Sequence, residues 1–326
     1  MSVTRVGHVL PDTVTPPDAA RANPLDPETI MHADTVPSER YWTARDGVKL
    51  FARDYAPGPG AEAEPETGTA VICIPGLTRN SLDYEDVAPW LSSLGRRVLA
   101  VDLRGRGRSE RSQASAYRLP TYARDIVALM DDLKLERAHI IGTSLGGMIA
   151  MQLAHSHLDR LAGAVLNDIG PRIEAEGIRR IGGYAGTAPA VDSWSSAVGY
   201  ARHIAGDAFP HYSEADWEKF TARMFDETSG GRLVPTYDPS VSTRSPVWMI
   251  QLASLVAWRH FNRLASHRPT LVLRGERSDI LSAKTLSRMA QKPRVTAIEI
   301  PGASHTPDLT EAASKRALSA FFAKVE

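Results

Sequence analysis

The sequence predicts an α/β protein, with a mostly parallel central sheet, helices on both faces and a helical segment inserted late in the chain. Three observations lead there. Short apolar runs at 70–74, 97–101, 138–142 and 163–167 alternate with stretches of helical spacing, the pattern of strands joined by crossover helices. Two more runs, 270–274 and 295–300, resume the alternation only after the interval 170–265. That interval holds amphipathic helical stretches and no comparable strand.

Taken in order, residues 1–38 carry Pro11, Pro16, Pro17, Pro24, Pro27 and Pro37 and no sustained hydrophobic period, so they read as an extended or disordered N-terminal arm. Tyr41–Arg45 and Lys49–Tyr55 are strand-like and meet through Asp46-Gly47, a hairpin turn. Residues 56–68, rich in Pro, Gly, Ala and Glu, form a surface loop. The α/β core then covers 39–169 and 266–326, and residues 170–265 form a helical cap. Within the cap, Ser213-Glu214-Ala215-Asp216 supplies a capping-box-like start to a helical stretch carrying Trp217, Phe220 and Phe225. A final helix is expected near 308–325. No internal repeat is present.

The 326 residues are 43% hydrophobic and 23% charged, and 38 basic residues balance 38 acidic ones. Such a balance gives no overall field to draw in a polyanion, which argues against nucleic acid as a partner. The single cysteine, Cys73, precludes an intramolecular disulfide framework and a cysteine-built zinc site, and Ala70-Val71-Ile72-Cys73-Ile74 makes it a small buried hydrophobe. Apolar runs are too short to span a bilayer, and the start of the chain lacks a signal-peptide pattern. The expectation is a cytoplasmic protein with no membrane partner, either monomeric or homo-oligomeric.

The chemistry concentrates in a few segments. Gly142-Thr143-Ser144-Leu145-Gly146 closes a strand and opens the helical run Met148–Ala154. A sharp strand-to-helix turn of this kind exposes a serine above the sheet, and its glycines remove side chains that would clash there. The turn also places Ser144 at a helix N-terminus, which favours developing negative charge. A serine hydroxyl needs a base, and the base needs a carboxylate to orient it. His305 follows the strand 295–300 and Asp279 follows the strand 270–274, both at strand ends expected on the same sheet edge as Ser144. Asp168, at the end of the strand 163–167, is the alternative acid.

The segments Ile74–Asn80 and Asp102-Leu103-Arg104-Gly105-Arg106-Gly107-Arg108-Ser109, the turn around Ser144, the Asp279 loop and His305 together resemble the α/β-hydrolase superfamily. The resemblance runs from about residue 41 to the C-terminus. It implies the triad Ser144, Asp279 and His305, with Asp279 preferred over Asp168 because the family places its acid after the penultimate strand. It also implies an oxyanion hole made by the backbone amides of Leu145 and Leu77. Pro75-Gly76 stands where many relatives have His-Gly, which leaves a backbone-built hole intact.

Other charged residues read as structural. Asp102 is expected to tie its loop together through local hydrogen bonds and Arg104 or Arg106, and the arginines at 104, 106, 108 and 111 to form a solvated basic cluster. His155 and His157 do not share a helical face, no metal motif or dinucleotide loop is present, and no metal or cofactor is expected. Trp194, Trp217, Trp248, Trp258 and the neighbouring Tyr and Phe residues of the cap are expected mainly to pack, with a few lining an apolar pocket.

The expected function is hydrolysis of small or medium carboxylic esters through an acyl-enzyme, with a small-molecule ester or related acyl substrate as partner. The superfamily also hosts lactonases and hydrolases of carbon–carbon bonds in ring-cleavage products, and non-catalytic ligand receptors on the same fold.

Overall fold

The structure is a computed structural model that describes residues 36–58, 69–187, 189, 191–242 and 247–325. All but the last three residues of the predicted N-terminal arm, and most of the 56–68 loop, lie outside the described residues.

The strands are β1 (Ser38–Thr43), β2 (Lys49–Tyr55), β3 (Val71–Ile74), β4 (Val98–Asp102), β5 (Ala138–Thr143), β6 (Leu161–Asn167), β7 (Phe225–Glu227), β8 (Leu233–Pro235), β9 (Thr270–Gly275) and β10 (Val295–Ile300). Eight of them form one sheet in the order β1-β2-β4-β3-β5-β6-β9-β10, while β7 and β8 make a separate hairpin. β1 and β2 pair antiparallel across the turn at Gly47, which takes a φ of 86° that a side chain would resist. β2 also pairs antiparallel with β4, and the remaining neighbours are parallel.

The helices are α1 (Ala88–Ser93), α2 (Leu119–Asp132), α3 (Leu145–Ser156), α4 (Ala175–Tyr184), α5 (Trp194–Ala205), α6 (Glu214–Ala222), α7 (Val247–His267), α8 (Ala283–Ala290) and α9 (Ala312–Phe322). They cover both sheet faces, which is why β3, β4 and β9 are buried throughout and read as unbroken apolar runs. The two-residue alternation of each strand divides the interior into two cores. Ile72, Ile74, Leu99, Val101 and Ile140 pack towards α2, α3 and α7. Val71, Cys73, Val98, Ala100 and Ile141 pack towards α1 and α9. Cys73 has no exposed surface, and burial pushes its thiol well above the ordinary range, consistent with its reading as an inert hydrophobe.

Between β6 and β9 lie α4, α5, α6, the β7–β8 hairpin and α7. Capping boxes open α5 at Ser193 and α6 at Ser213, the second as the sequence predicts, but α6 ends at Ala222 and Phe225, expected on the same helical stretch, begins β7. Trp217, Phe225, Leu233 and small residues of α5 form a third cluster that belongs to this block alone. The C-terminal half of α7 is different. Phe261, Leu264 and Ala265, which the sequence assigns to the inserted segment, pack in the sheet's own core. Among the described residues no helix is long and apolar enough to cross a membrane.

Candidate active site

β5 ends at Thr143, and Ser144 caps α3 with φ 51° and ψ −108°, a conformation that costs energy for any residue with a Cβ. The turn survives because its neighbours leave no alternative. A Cβ on Gly142 would stand 2.3 Å from the Gly146 carbonyl carbon, and one on Gly146 would stand 2.0 Å from the carbonyl oxygen of Ile74. Both glycines are therefore required by close backbone approach. The Ser144 amide donates to the Asn167 carbonyl at 3.0 Å, which ties the turn to the end of β6. Tyr84, from the segment before α1, donates its hydroxyl to the Ile74 carbonyl at 2.8 Å and meets Thr143 Oγ1 at 3.0 Å.

His305 follows β10. Its Nε2 lies 3.1 Å from Ser144 Oγ, and its Nδ1 lies 2.7 Å from Asp168 Oδ2. The arrangement suits the tautomer in which Nδ1–H donates to Asp168, leaving Nε2 to accept from the serine hydroxyl. Asp168 itself is wholly buried at the end of β6 with φ 53°. Beyond His305 it accepts the Gly275 amide at 2.9 Å and the Ser278 hydroxyl at 2.6 Å, so its carboxylate is fixed by three donors.

The expected acid, Asp279, is elsewhere. It accepts Arg180 Nε at 2.6 Å and Nη2 at 2.8 Å and makes no hydrogen bond to His305. The reason is local. The turn after β9 directs Gly275 N–H and the Ser278 hydroxyl at Asp168, and α4 packs tightly on the next residues, with the Gly177 amide donating to the Asp279 carbonyl at 3.2 Å. Asp279 thereby faces α4 and its arginine. Burial pushes its carboxyl up, but the hydrogen bonds and charge of Arg180, with His305 nearby, hold it below the usual carboxylate value.

A cavity of about 140 Å³ opens at Ser144 and His305. Leu77, on the loop after β3, lines it, and a Cβ on Gly76 would come within 3.9 Å of Ser144 Cβ. Leu145 is the first residue of α3, where a backbone amide has no intrahelical acceptor. Of the aromatic residues expected in the cap, Tyr184, Phe209, Tyr212 and Phe220 reach the cavity. Trp217 packs within the cluster formed by α5, α6 and the β7–β8 hairpin instead, and Trp248 is exposed on α7.

The profile of the alpha/beta hydrolase fold family matches residues 69–312. The chain belongs to the α/β-hydrolase family. A 3-hydroxybutyrate-oligomer hydrolase of Cupriavidus necator is 30% identical to this hydrolase over 267 residues, which cover 79% of the chain and 90% of the relative. A 2-(acetamidomethylene)succinate hydrolase of Mesorhizobium japonicum is 25% identical over 258 residues, 76% of this chain and 87% of that one. Among solved structures, an alpha/beta hydrolase from Novosphingobium aromaticivorans superimposes with a TM-score of 0.79 at 35% identity, covering 90% of this chain and all of that one.

In this α/β-hydrolase the segment 102–109 supports the site without entering it. Asp102 is buried and accepts the amides of Ser81 at 2.7 Å and Arg108 at 2.8 Å. It ties the loop as expected, but through backbone amides and not through Arg104 or Arg106. Those two arginines are the largest fully buried side chains, which corrects the expectation of a solvated cluster. Arg104 is held by Asp125 and Asp46. Arg106 donates Nε to the Leu77 carbonyl at 2.9 Å and Nη1 to the Tyr122 hydroxyl at 2.8 Å, so it sets the position of the loop beside Ser144. Asn167 was also missing from the expected set; its Nδ2 bridges Thr143 Oγ1 and the Pro307 carbonyl, joining the serine and histidine loops. Only the D-x-R-G-x-G-x-S segment carried a sequence signal for this support. Among the described residues, no group of three or more His, Cys, Asp or Glu is placed to hold a metal ion.

Proposed function

We propose that this hydrolase cleaves small or medium carboxylic esters through an acyl-enzyme, with Ser144 as nucleophile, His305 as base and Asp168 as the orienting carboxylate. The observation that carries this reading is the continuous relay from Asp168 through His305 to Ser144 at the floor of the cavity. His305 takes the serine proton as Ser144 attacks the carbonyl carbon, and the amides of Leu145 and Leu77 stabilise the oxyanion. The protonated His305 then gives its proton to the leaving alcohol. Water enters, loses a proton to His305 and attacks the acyl-enzyme, which releases the acid and restores Ser144. Asp168 keeps the imidazole in the required tautomer and stabilises it when charged. The relative that cleaves 3-hydroxybutyrate oligomers supports esters of short hydroxy acids as the class to test first.

The experiment pairs a phosphonate that reacts with activated serines with a panel of p-nitrophenyl esters of increasing chain length, a ring-cleavage dienoate, a few lactones and the dimer of 3-hydroxybutyrate. Stoichiometric labelling at Ser144, with turnover confined to the esters and abolished in Ser144→Ala, is the expected result. Label on another residue would remove the nucleophile assignment. Turnover of the dienoate alone would replace ester cleavage by carbon–carbon cleavage, and labelling with no turnover of any substrate would favour a ligand receptor.

A further inference from the structure

The cavity at Ser144 contains more guanidinium groups than ester cleavage requires. Arg79, Arg180 and Arg223 all line it, alongside Asp83 and Asp308. Each arginine gives its Nε and Nη2 edge to a protein carboxylate: Arg79 to Asp83, Arg180 to Asp279, and Arg223 to Glu85 with Asp86 accepting as well. Two of these have evident structural work. Arg79 and Asp83 brace one loop four residues apart, and Arg223 ties the segment after α6 to the turn before α1. Arg180 stands apart by position.

A second groove meets the cavity, and Arg180 and His305 line both, with Asp279 in the groove wall. Arg180 therefore sits on the histidine side of Ser144, and its side chain is 36% exposed. The histidine side is where the alcohol must leave, because His305 protonates it. In an ester whose alcohol is a β-hydroxy acid, the carboxylate carbon is separated from the leaving oxygen by two carbons and lies within about 4 Å of it on ordinary bond lengths. A carboxylate so placed reaches the neighbourhood of Arg180, whose Nη1 is not taken by Asp279.

We propose that Arg180, held in place by Asp279, binds the carboxylate of the leaving group, so that the preferred substrates are esters whose alcohol half is itself a β-hydroxy acid with a free carboxylate. The proposal rests on the ester-cleaving reading above. Asp279 neutralises Arg180 at long range, so discrimination comes from direct charge-assisted hydrogen bonds formed once the substrate is seated. Arg180 is thus a specificity-determining residue, and the pairing explains why a carboxylate at position 279 is present without serving His305.

The test compares the 3-hydroxybutyrate dimer with its methyl ester, which differ only in the terminal carboxylate, as a ratio of kcat/KM within each protein preparation. The ratio is independent of the fraction folded. The wild type should favour the free acid by about 10- to 100-fold, and Arg180→Gln should bring the ratio near one. A double variant, Arg180→Gln with Asp279→Asn, removes both charges and should give the same collapse if the single variant folds poorly. A wild-type ratio near or below one overturns the proposal, as does a preference that persists without Arg180 or that disappears in Arg79→Gln instead. Failure of the ester reading is separately visible. If neither dimer turns over, the anchor is read from protection of Ser144 against phosphonate labelling: stronger protection by the acid than by the methyl ester, lost in Arg180→Gln, supports it, and equal protection overturns it.

Discussion

At the scale of single residues, it is Asp168, and not the sequence-favoured Asp279, that meets His305. Asp168 and Asp279 both follow parallel strands near the same sheet edge, and only side-chain contacts separate them: Asp168 binds His305, Gly275 and Ser278, while Asp279 binds Arg180. On a neutral p-nitrophenyl ester, Asp168→Asn should lower kcat by about 10⁴-fold, because the amide no longer fixes the histidine tautomer or balances its charge. Asp279→Asn should cost far less on that same substrate. Steady-state kinetics of the two variants decide the matter, and equal losses would return the acid role to Asp279. The buried arginines teach a related lesson. Four arginines in a short glycine-rich loop look solvated, yet Arg104 and Arg106 are enclosed because carboxylates, the Leu77 carbonyl and a tyrosine from distant segments take most of their donors, while Arg106 Nη2 is left without a partner.

Among elements, the β5–α3 turn is the most constrained. Its geometry depends on backbones that meet at van der Waals contact, so Gly146→Ala should destabilise the fold by about 3 kcal/mol as the new Cβ meets the Ile74 carbonyl. Denaturant titration with an unchanged m-value checks this, and a neutral result would mean that β3 and α3 can separate without loss. The turn was legible from sequence because its requirements are local: a strand, small residues at fixed spacing and a helix. α7 was less so. Its apolar residues serve two surroundings, with Phe261 and Leu264 in the core and Trp248, Leu252 and Leu255 exposed at the other end, and no periodicity marks where one gives way to the other.

For the molecule as a whole, a group outside the site sets part of the acid limit. His139 on β5 is 1% exposed, packs edge-on against Phe321 and Phe322 of α9, and has no hydrogen-bond partner on either ring nitrogen. Burial, with the Arg96 charge nearby, pushes its pKa down from 6.5 to about 4. The unfolded chain therefore takes up a proton between pH 6.5 and 4 that the folded chain refuses. This contribution is whole above pH 6.5 and falls away as the pH drops towards 4, by about 3 kcal/mol in all. Comparing unfolding free energies of the wild type and His139→Leu across that window isolates it. The variant should lose less stability over the interval, and parallel curves would show that His139 is protonated within the fold.

The succession along the chain of the strands that build the main sheet, the helices that cover them, the serine turn and the histidine after the last strand all followed from the sequence, because each depends on short-range pattern: apolar period, turn chemistry and position relative to a strand end. Membership of the α/β-hydrolase family followed from the same segments. Tertiary structure alone decided which carboxylate meets His305, which arginines are buried, where the inserted helices join the core and which aromatic residues reach the cavity. Those outcomes depend on pairs far apart in the chain, such as Asp168 with Ser278 and Arg180 with Asp279. Charge and hydrogen bonding select such partners by distance and direction in space, and neither is written in the spacing of residues along the chain.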